Sequence, residues 1–323
     1  MNHLLEVVNL QTAFHSDKSK VISVDDVSFT LDPGETIGVV GESGCGKSVT
    51  SLSIMRLLGK NGKIGNGHIY FGGEDLSKAT EQRLRQIRGN EISMIFQEPM
   101  TSLNPVFSIG NQMIEGIKLH KHLDTKKARA YAVEMLERVR VPRAEEMMKE
   151  YPHALSGGMR QRVMIAMALA CKPKLLIADE PTTALDVTIQ AQILMLMKEL
   201  QDEFGSAIMF ITHDLGVIAE VADKVIVMYA GQVVEEADVF TLFKEPKHPY
   251  TQGLMSSIPH IEHDINQQLV SIPGTVPTPQ TMPIGCRFHT RCPNVTEKCK
   301  QEQPDLIEIK DKHKARCWLA ESK

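Results

Sequence analysis

One eight-residue segment constrains the fold of this chain more than any other feature. Residues 41–48 fit the pattern G-x-x-x-x-G-K-S, and they lie between a predicted strand over 36–40 and a predicted helix over 48–58. Glycines in such a loop let consecutive backbone N–H groups turn toward phosphate oxygens, and the helix N-terminus adds positive potential. The pattern predicts a phosphate-binding loop, with a glycine-rich surface turn as the alternative. Its candidate residues are Gly41, Ser43, Gly44, Cys45, Gly46, Lys47 and Ser48.

Chemistry on a bound polyphosphate requires a metal ion and an activated water, and two motifs predict residues for them. Lys47 would neutralise the charge of the β- and γ-phosphates, and Ser48 would ligate Mg²⁺. Residues 175–180 form an apolar strand that ends in two carboxylates, of which Asp179 would hold magnesium and Glu180 would polarise an attacking water. By itself, such a strand end is more often the start of a solvated loop. Together with the phosphate loop upstream, however, the two carboxylates are better interpreted as residues of a catalytic site.

A serine followed by two glycines opens another predicted helix. Ser156 precedes Gly157 and Gly158, and an apolar helical pattern follows over 163–170. Ser156 as an ordinary N-cap is one interpretation. The other is a second anion-binding helix start, because a serine hydroxyl and free N–H groups would face outward. On the second interpretation, the chain has two separate phosphate-binding edges.

Composition excludes several classes of protein. Hydrophobic residues are 42% and charged residues 24%, which is ordinary globular usage, and 323 residues suffice for about two domains. A net charge of −4 and a pI near 6.3 provide no general attraction for nucleic acid. No apolar run approaches the roughly 18–20 residues that span a bilayer, and the N-terminal residues lack a secretion signal. We therefore expect a cytosolic chain whose six cysteines form no disulfide framework.

The order of predicted elements is typical of an α/β fold with a mainly parallel sheet. Helices and strands alternate after the middle of the chain, as they do when each helix crosses between parallel strands. The alternating elements are helix 157–171, strand 175–178, helix 189–204, strand 207–212 and strand 224–229.

Two regions depart from this alternation. Residues 109–139 have a helical pattern of their own, with Thr125 predicted to cap its second part. Prolines recur after position 246 and interrupt any long element there. We therefore predict a core domain over 1–245 with a helical subdomain at about 97–157, followed by a loop-rich extension with little core of its own over 246–323.

Six motifs together resemble those of ATP-binding cassette (ABC) ATPases, and they occur in that family's order within residues 4–240. Residues 155–161, Leu-Ser-Gly-Gly-x-x-Gln, resemble the family signature. Gln97 resembles the Q-loop glutamine, residues 184–186 resemble the D-loop, and His213 resembles the switch histidine. The resemblance implies an α/β, P-loop NTPase fold with a RecA-like ABC ATPase core.

The same resemblance implies how the motifs act. Two subunits would pair head to tail and hold ATP between the Lys47 loop of one and residues 156–158 of the other. Glu180 would be the general base, and His213 would sense the γ-phosphate. Gln97 would link magnesium or water to the helical insertion.

Two further positions are assigned by this resemblance. Asp186, in the D-loop, would communicate across the interface between the two subunits. The family generally supplies an aromatic ring for adenine upstream of the phosphate loop, and Phe14 is the nearest aromatic residue that fits. A role for Phe14 in the core is the alternative.

Residues that extend the Q-loop and residues near the end of the sequence narrow the class. Residues 97–105 resemble the extended Q-loop of bacterial importers of dipeptides, oligopeptides and nickel, and residues 248–251, 273–277 and 285–288 resemble their C-terminal extension. The resemblance implies an ATP-hydrolysing subunit held peripherally at the cytoplasmic face of the cell membrane. Its partners would be a second ABC ATPase subunit, identical or related, two transmembrane permease subunits and an external substrate-binding protein.

Peptides are the expected cargo because they are the usual cargo of that class, and nickel is the alternative. A soluble ABC ATPase acting on DNA or ribosomes is disfavoured, because the sequence has no coiled-coil insert, no second cassette and no Lys/Arg stripe. A redox-sensing module with vestigial ATP binding is disfavoured as well, because Glu180 and His213 are both present.

Four cysteines are concentrated near the end of the sequence, and they predict a metal site. They lack the C-x₂₋₄-C pair that structural zinc prefers, while their wider spacing suits an iron–sulfur cluster. The resemblance also implies a [4Fe–4S] cluster. Zinc and four free thiols are the alternatives, with His289 and His313 as substitute ligands. The four cysteines are Cys286, Cys292, Cys299 and Cys317.

Overall fold

The structure is a computed structural model that describes residues 3–16, 19–97, 102–183, 185–257 and 271–320. Contacts divide the chain into two units. Unit 1 comprises Met1–Lys78 and Phe210–Lys323, and unit 2 comprises Ala79–Met209.

The described strands and helices are as follows. The strands are β1 Leu5–Ser16, β2 Ser19–Leu31, β3 Thr36–Val40, β4 Gly62–Phe71, β5 Glu74–Asp75, β6 Ile92–Ile95, β7 Leu175–Asp179, β8 Ala207–Ile211, β9 Lys224–Tyr229, β10 Gln232–Asp238, β11 Ile307–Lys310 and β12 His313–Ala315. The helices are α1 Lys47–Ile54, α2 Glu81–Ile87, α3 Ile109–Lys121, α4 Thr125–Arg138, α5 Ala144–Met147, α6 Gly157–Leu169, α7 Val187–Phe204, α8 Leu215–Val221, α9 Val239–Lys244, α10 Pro249–Ser256 and α11 Glu297–Gln301. Short 3₁₀ helices cover Leu76–Lys78, Pro152–Ala154 and Pro279–Thr281.

Unit 1 contains two groups of strands. An antiparallel sheet has the order β2-β1-β4-β5, and a second group has the order β11-β12-β10-β9-β3. Within the second group, β3 pairs with β9 in parallel, with Val39 opposite Ile226. All five residues of β3 are buried, as expected for a strand covered on both faces. The phosphate loop therefore emerges from the end of a buried strand.

Unit 2 is built on the parallel pair of β6 and β7, with Met94 opposite Ile177. β7 lies between β6 and the start of β8, which carries the chain back into unit 1. All five residues of β7 are buried, so the carboxylates at its end are held by a rigid element. None of the helices in the described ranges is both long and apolar enough to cross a membrane.

The predicted helices are present, but several boundaries differ from those predicted; α6 ends at Leu169 and α7 begins at Val187, each two residues before the expected position. The helix after the phosphate loop ends at Ile54 instead of residue 58, because Arg56 has a left-handed φ of 51° that α-helical geometry does not allow. The cap of α4 is Asp124 instead of Thr125. The Asp124 carboxylate accepts a hydrogen bond from the Lys127 N–H at 2.9 Å, while Thr125 is already the first helical residue.

The C-terminal extension is loop-rich, as predicted, but it shares the core of unit 1. β12 pairs with β10, with Glu235 opposite Ala315. Tyr250 and Phe288 are buried against Tyr229, with ring centroids 4.6 and 5.1 Å from the Tyr229 ring. Aromatic pairs at this spacing stabilise a core beyond the area that they bury. The extension thus packs on the strand that follows the ATPase motifs in sequence.

A buried carboxylate fixes the start of the extension. Glu235 on β10 is fully buried and accepts hydrogen bonds from the backbone N–H groups of Lys247 and His248, at 2.7 and 2.9 Å. Its Oε1 also lies 2.8 Å from His313 Nε2 on β12. A buried charge is tolerated when hydrogen bonds satisfy it, so Glu235 holds both ends of the extension to β10.

Candidate nucleotide-binding site

The phosphate loop has a shape that only glycine permits at its first position and before α1. Gly41 has a φ of +150°, and a Cβ there would lie 2.2 Å from the Met228 carbonyl oxygen. Gly46 has a φ of +105°, and a Cβ there would lie 2.9 Å from the Ser23 carbonyl oxygen. Both positions therefore require glycine for conformation and for space. The loop is held in this shape by the surrounding strands of unit 1.

The Lys47 side chain turns back into the loop. Its Nζ donates hydrogen bonds to the carbonyl oxygens of Gly41 and Glu42, at 2.7 and 3.2 Å, and the residue is only 6% exposed. Cys45 Sγ lies 3.9 Å from the same Nζ, and burial raises the pKa of the Cys45 thiol. A buried ammonium group with two carbonyl partners is fixed in position, ready to meet an anion in the loop.

The first turn of α1 is open to an anion. Within the described part of the chain, no side chain caps this helix, and its first turn contains no acidic residue. Ser48 is half-buried at the start of α1, whereas Ser43 and Gly44 are exposed on the loop. Backbone N–H groups at an uncapped helix start bind phosphate readily.

The structure brings two predicted catalytic residues together in unit 2. Gln97 Nε2 donates a hydrogen bond to Glu180 Oε2 at 3.0 Å, and the Thr183 hydroxyl donates to the same oxygen at 3.0 Å. Glu180 has a left-handed φ of 48°, which is costly for a residue other than glycine and is common at functional sites. Asp179, at the end of β7, is 3% exposed.

The serine–glycine motif and the predicted D-loop aspartate are neighbours in unit 2. The Ser156 hydroxyl caps α6 by accepting from the Met159 N–H at 3.4 Å, and the Asp186 carboxylate caps α7 by accepting from the Ile189 N–H at 2.9 Å. A Cβ on Gly158 would lie 3.0 Å from Ile189 Cγ2. Ser156 is therefore an N-cap, as one of its two interpretations predicted, and Gly158 permits close packing of α6 on α7. Gly157 lies beside Leu185, with 3.6 Å between a Cβ there and the Leu185 Cδ2 atom.

His213 is exposed at the end of β8 in unit 1. The Thr212 N–H before it donates to the Val39 carbonyl oxygen on β3 at 3.2 Å. Asp214 after it caps α8 by accepting from the Gly216 N–H at 2.8 Å. The histidine thus follows a strand end that is anchored beside β3, the strand that precedes the phosphate loop.

Phe14 is half-buried on β1, opposite Gly62 on β4. Its ring covers this glycine so closely that a Cβ on Gly62 would lie 2.9 Å from the ring. This contact is compatible with a packing role and leaves part of the ring exposed, so contact with adenine stays a prediction. Residues 98–101 of the extended Q-loop and Ala184 of the D-loop lie outside the described residues.

The four C-terminal cysteines are free thiols, and the other three act electrostatically on Cys286. Burial raises the pKa of Cys286 to about 11, and the charges of Cys299, Cys317 and Cys292 contribute to that rise. Burial also raises the pKa values of Cys292 and Cys317. Among the described residues, no group of three or more His, Cys, Asp or Glu side chains is arranged to hold a metal ion. The structure therefore places the thiols near one another without forming a coordination site.

Comparison with known proteins extends these observations to nearly the whole chain. The family described as "ABC transporter" matches residues 24–183, and the family described as "Oligopeptide/dipeptide transporter, C-terminal region" matches residues 234–299. The sequence is 58% identical to the oligopeptide transport ATP-binding protein AppD of Bacillus subtilis (strain 168), over 99% of this chain and 98% of that protein. The chain belongs to the ATP-binding proteins of ABC transporters. It is also 51% identical to the probable peptide ABC transporter ATP-binding protein y4tR of Sinorhizobium fredii, over 98% of this chain and 94% of that protein.

Solved structures confirm the predicted fold class of this ABC ATPase. One similar structure is that of the dimeric ATP-binding cassette MJ0796 in a post-hydrolysis state bound to ADP and Pi, with a TM-score of 0.66 and 26% identity. The similarity covers 73% of this chain and 98% of the cassette. The predictions of a P-loop NTPase fold, of the ABC family and of ATPase activity are confirmed. The domain boundaries and the roles of individual residues stay predictions.

Three residues of the ABC ATPase contact its motifs without being predicted from the sequence. Thr183 binds Glu180, and Tyr250 and Arg291 of the extension bind Glu42 in the phosphate loop. The contact of Thr183 is local, since this residue lies three positions after Glu180 in the turn that follows β7. The contacts of Tyr250 and Arg291 join residues more than two hundred positions apart, and no local pattern indicates them.

Proposed function

We propose that this chain is the ATP-hydrolysing subunit that powers import of dipeptides or oligopeptides through a membrane ABC transporter. The observation that carries the proposal is that one chain contains both the ABC transporter match and the oligopeptide/dipeptide C-terminal match. Relatives named for oligopeptide or peptide transport are similar over at least 94% of their own length. Nickel import was the alternative cargo, and these relatives favour peptides.

Within this function, the phosphate loop binds the triphosphate of ATP. Lys47 and the backbone N–H groups of residues 41–48 supply the positive charge, and Ser156 with Gly157 and Gly158 contacts the nucleotide of a second subunit. The uncapped start of α1 and the buried ammonium of Lys47 support the first part. The dimeric state of the similar cassette MJ0796 supports the second part.

Hydrolysis is assigned to the residues at the end of β7. Glu180 takes a proton from the attacking water as general base, and the hydrogen bonds from Gln97 and Thr183 hold its carboxylate in position. Ser48, Asp179 and Gln97 offer the oxygen donors that Mg²⁺ prefers, and the ion would neutralise phosphate charge. His213 senses the γ-phosphate, Asp186 communicates across the dimer interface, and Phe14 contacts adenine.

The subunit would act at the cytoplasmic face of the cell membrane as a peripheral component. Its proposed partners are a second ABC ATPase, identical or related, two transmembrane permease subunits and an external substrate-binding protein. No nucleic acid is involved. The names of the peptide transport relatives support this assembly, because transport through a membrane requires components that cross it.

Reconstitution in proteoliposomes tests the proposed function. The chain is assembled with its permease subunits, its companion ATPase and the external binding protein, and ATP hydrolysis and solute uptake are measured together. We expect oligopeptides to stimulate hydrolysis and to accumulate in an ATP-dependent manner. Stimulation and uptake with nickel but not with peptides would support the alternative cargo. A rate of ATP hydrolysis that neither peptides nor nickel change would contradict the proposed importer function.

We further propose that Cys286, Cys292, Cys299 and Cys317 hold a [4Fe–4S] cluster, with zinc as the alternative. Support comes from the proximity of the other three thiols to Cys286 and from the preference of iron and zinc for thiolate ligands. The arrangement of the described side chains does not itself form a metal site. Binding would therefore draw the four sulfurs closer together.

Anaerobic purification tests the cluster directly. We expect a brown protein that contains iron and acid-labile sulfide in equal amounts, because thiolate-bound clusters absorb visible light and release sulfide in acid. Cys292→Ser should lower the iron content, whereas Cys171→Ser on the ATPase core should leave it unchanged. A colourless protein with stoichiometric zinc would establish the alternative, and a colourless protein without metal would contradict both.

A further inference from the structure

Three arginines of the extension are each next in sequence to one of the four clustered cysteines, and each binds a carboxylate elsewhere in unit 1. Two of these carboxylates lie on β2, and the third is in the phosphate loop. The pairs are Arg287 with Asp25, Arg316 with Asp26 and Arg291 with Glu42. Arg291 therefore differs from the other two, because its partner belongs to the nucleotide-binding machinery.

The contact between Arg291 and Glu42 is bidentate, and its arginine is buried whereas its carboxylate is partly exposed. Arg291 Nη1 lies 2.7 Å from Glu42 Oε2, and Nη2 lies 3.0 Å from Glu42 Oε1. The Arg291 side chain is 3% exposed, and its Nε donates to the Pro273 carbonyl oxygen at 2.8 Å. A planar guanidinium held on both sides is pre-organised, so it restricts the orientation of the Glu42 carboxylate.

A second residue of the extension holds the backbone of the same glutamate. The Tyr250 hydroxyl accepts a hydrogen bond from the Glu42 N–H at 2.8 Å. Tyr250 is fully buried, and its ring packs 4.6 Å from the Tyr229 ring, centroid to centroid. The extension thus fixes both the side chain and the peptide N–H of one loop residue.

Glu42 in turn contacts the groups that would meet phosphate. Its carbonyl oxygen accepts hydrogen bonds from Lys47 Nζ at 3.2 Å and from the Cys45 N–H at 3.3 Å. The orientation of the Glu42 peptide therefore determines where the Lys47 ammonium lies. A chain of direct contacts runs from Arg291 through Glu42 to Lys47, all of it within unit 1.

We propose that Arg291 and Tyr250 are positioning residues for nucleotide binding, which hold Glu42 so that the phosphate loop is pre-organised for ATP. The inference rests on the proposed binding of ATP at this loop. Pre-organisation raises affinity because the bound conformation is already present before the ligand arrives. The C-terminal extension thereby sets the ATP affinity of the cassette to which it is attached.

Equilibrium binding of a fluorescent ATP analogue to the full chain tests the proposal, with steady-state hydrolysis and thermal unfolding measured in parallel. We expect Arg291→Ala to raise both Kd and KM about tenfold, the loss expected for one charge-assisted hydrogen-bonded contact, while kcat at saturating ATP stays within about twofold. Arg291→Lys keeps the positive charge but loses the bidentate contact of the guanidinium group, so we expect a smaller rise in Kd and KM than in Arg291→Ala. Tyr250→Phe removes only the hydroxyl and should raise Kd about threefold.

Arg316→Ala is the matched control, because Arg316 also anchors the extension but does so on Asp26 instead of the loop. Its Kd should equal that of the wild type. An equal rise in Arg316→Ala and Arg291→Ala would reduce the role of Arg291 to docking of the extension. Wild-type Kd in Arg291→Lys and Tyr250→Phe would likewise overturn positioning, even if Arg291→Ala does not fold. A wild-type chain that binds no ATP would overturn the proposed function and this inference together.

A double-mutant cycle identifies the partner of Arg291. If Arg291 acts through Glu42, Glu42→Ala and Glu42→Ala/Arg291→Ala should show the same Kd, because the second change removes a contact that is already lost. Additive rises in Kd would show that Arg291 acts elsewhere.

Discussion

Glu180→Gln is expected to bind ATP and to hydrolyse it more slowly by a factor on the order of 10² to 10⁴, the usual size of a general-base contribution. Glutamine has nearly the shape of glutamate and keeps an oxygen that can accept the hydrogen bond from Gln97 or Thr183. It cannot take a proton from water. The effect should therefore appear in kcat, measured as phosphate release at saturating ATP, while the Kd of a fluorescent ATP analogue changes little.

A second glutamate of the same unit provides the control. Glu203 on α7 is about half exposed and binds Arg138, in a region without any of the six motifs. Glu203→Gln makes the same chemical change and should leave phosphate release unaltered. Normal turnover in Glu180→Gln would contradict the assigned base. Equal losses in both variants would show a general effect on unit 2 instead of a catalytic one.

The parts of the site that could be predicted from the sequence are those whose chemistry is local. The phosphate loop requires glycine where φ is positive and where backbone atoms approach, so Gly41 and Gly46 appear in the sequence at fixed spacing from Lys47. The carboxylates after β7 follow from an apolar strand that ends in two acidic residues. In both cases the physical requirement, a glycine conformation or a carboxylate at a strand end, can be recognised from the residue types and their spacing.

The sequence alone does not decide which of two neighbouring residues, both of which are good helix N-caps, caps α4. Asp124 and Thr125 are both good N-caps, and the sequence pattern favoured the second. The backbone decides between them, because Asp124 is extended and Thr125 is helical.

In the extension, β12 has only three residues, too few for a period-2 pattern to predict a strand. It forms because β10 offers an adjacent edge to which it can pair.

The contacts between the extension and the phosphate loop depend on tertiary structure alone. Glu42 occupies a variable position of its motif, so the sequence pattern assigns it no role. Arg291 stands among polar and proline residues, where a surface position is the ordinary expectation. The fold brings these two side chains together and buries the arginine, whose side chain is 3% exposed, in an ion pair with Glu42.

Gly41→Ala is expected to lower ATP affinity on the order of 100-fold and to lower the free energy of unfolding by at least about 2 kcal/mol. A Cβ at this position would lie 2.2 Å from the Met228 carbonyl oxygen and 2.7 Å from Cys45 Sγ. The first neighbour is backbone and cannot move without shifting β9, and a φ of +150° is itself unfavourable for alanine. The loop must therefore change shape, and Lys47 loses the Gly41 carbonyl oxygen that now fixes it.

Gly59→Ala is the control for Gly41→Ala, because it also adds a methyl group to a glycine of unit 1. No heavy atom of the described residues outside its immediate neighbourhood lies within 4 Å of a Cβ at Gly59, and its φ is not in the left-handed region. Chemical denaturation and binding of a fluorescent ATP analogue should show wild-type values for Gly59→Ala. If Gly41→Ala kept wild-type affinity, the loop would tolerate a shape other than the one described, and the placement of Lys47 by Gly41 and Glu42 would not determine ATP binding. A loss of ATP affinity without a change in the free energy of unfolding would instead show that the loop relaxes locally and that only its binding geometry is altered.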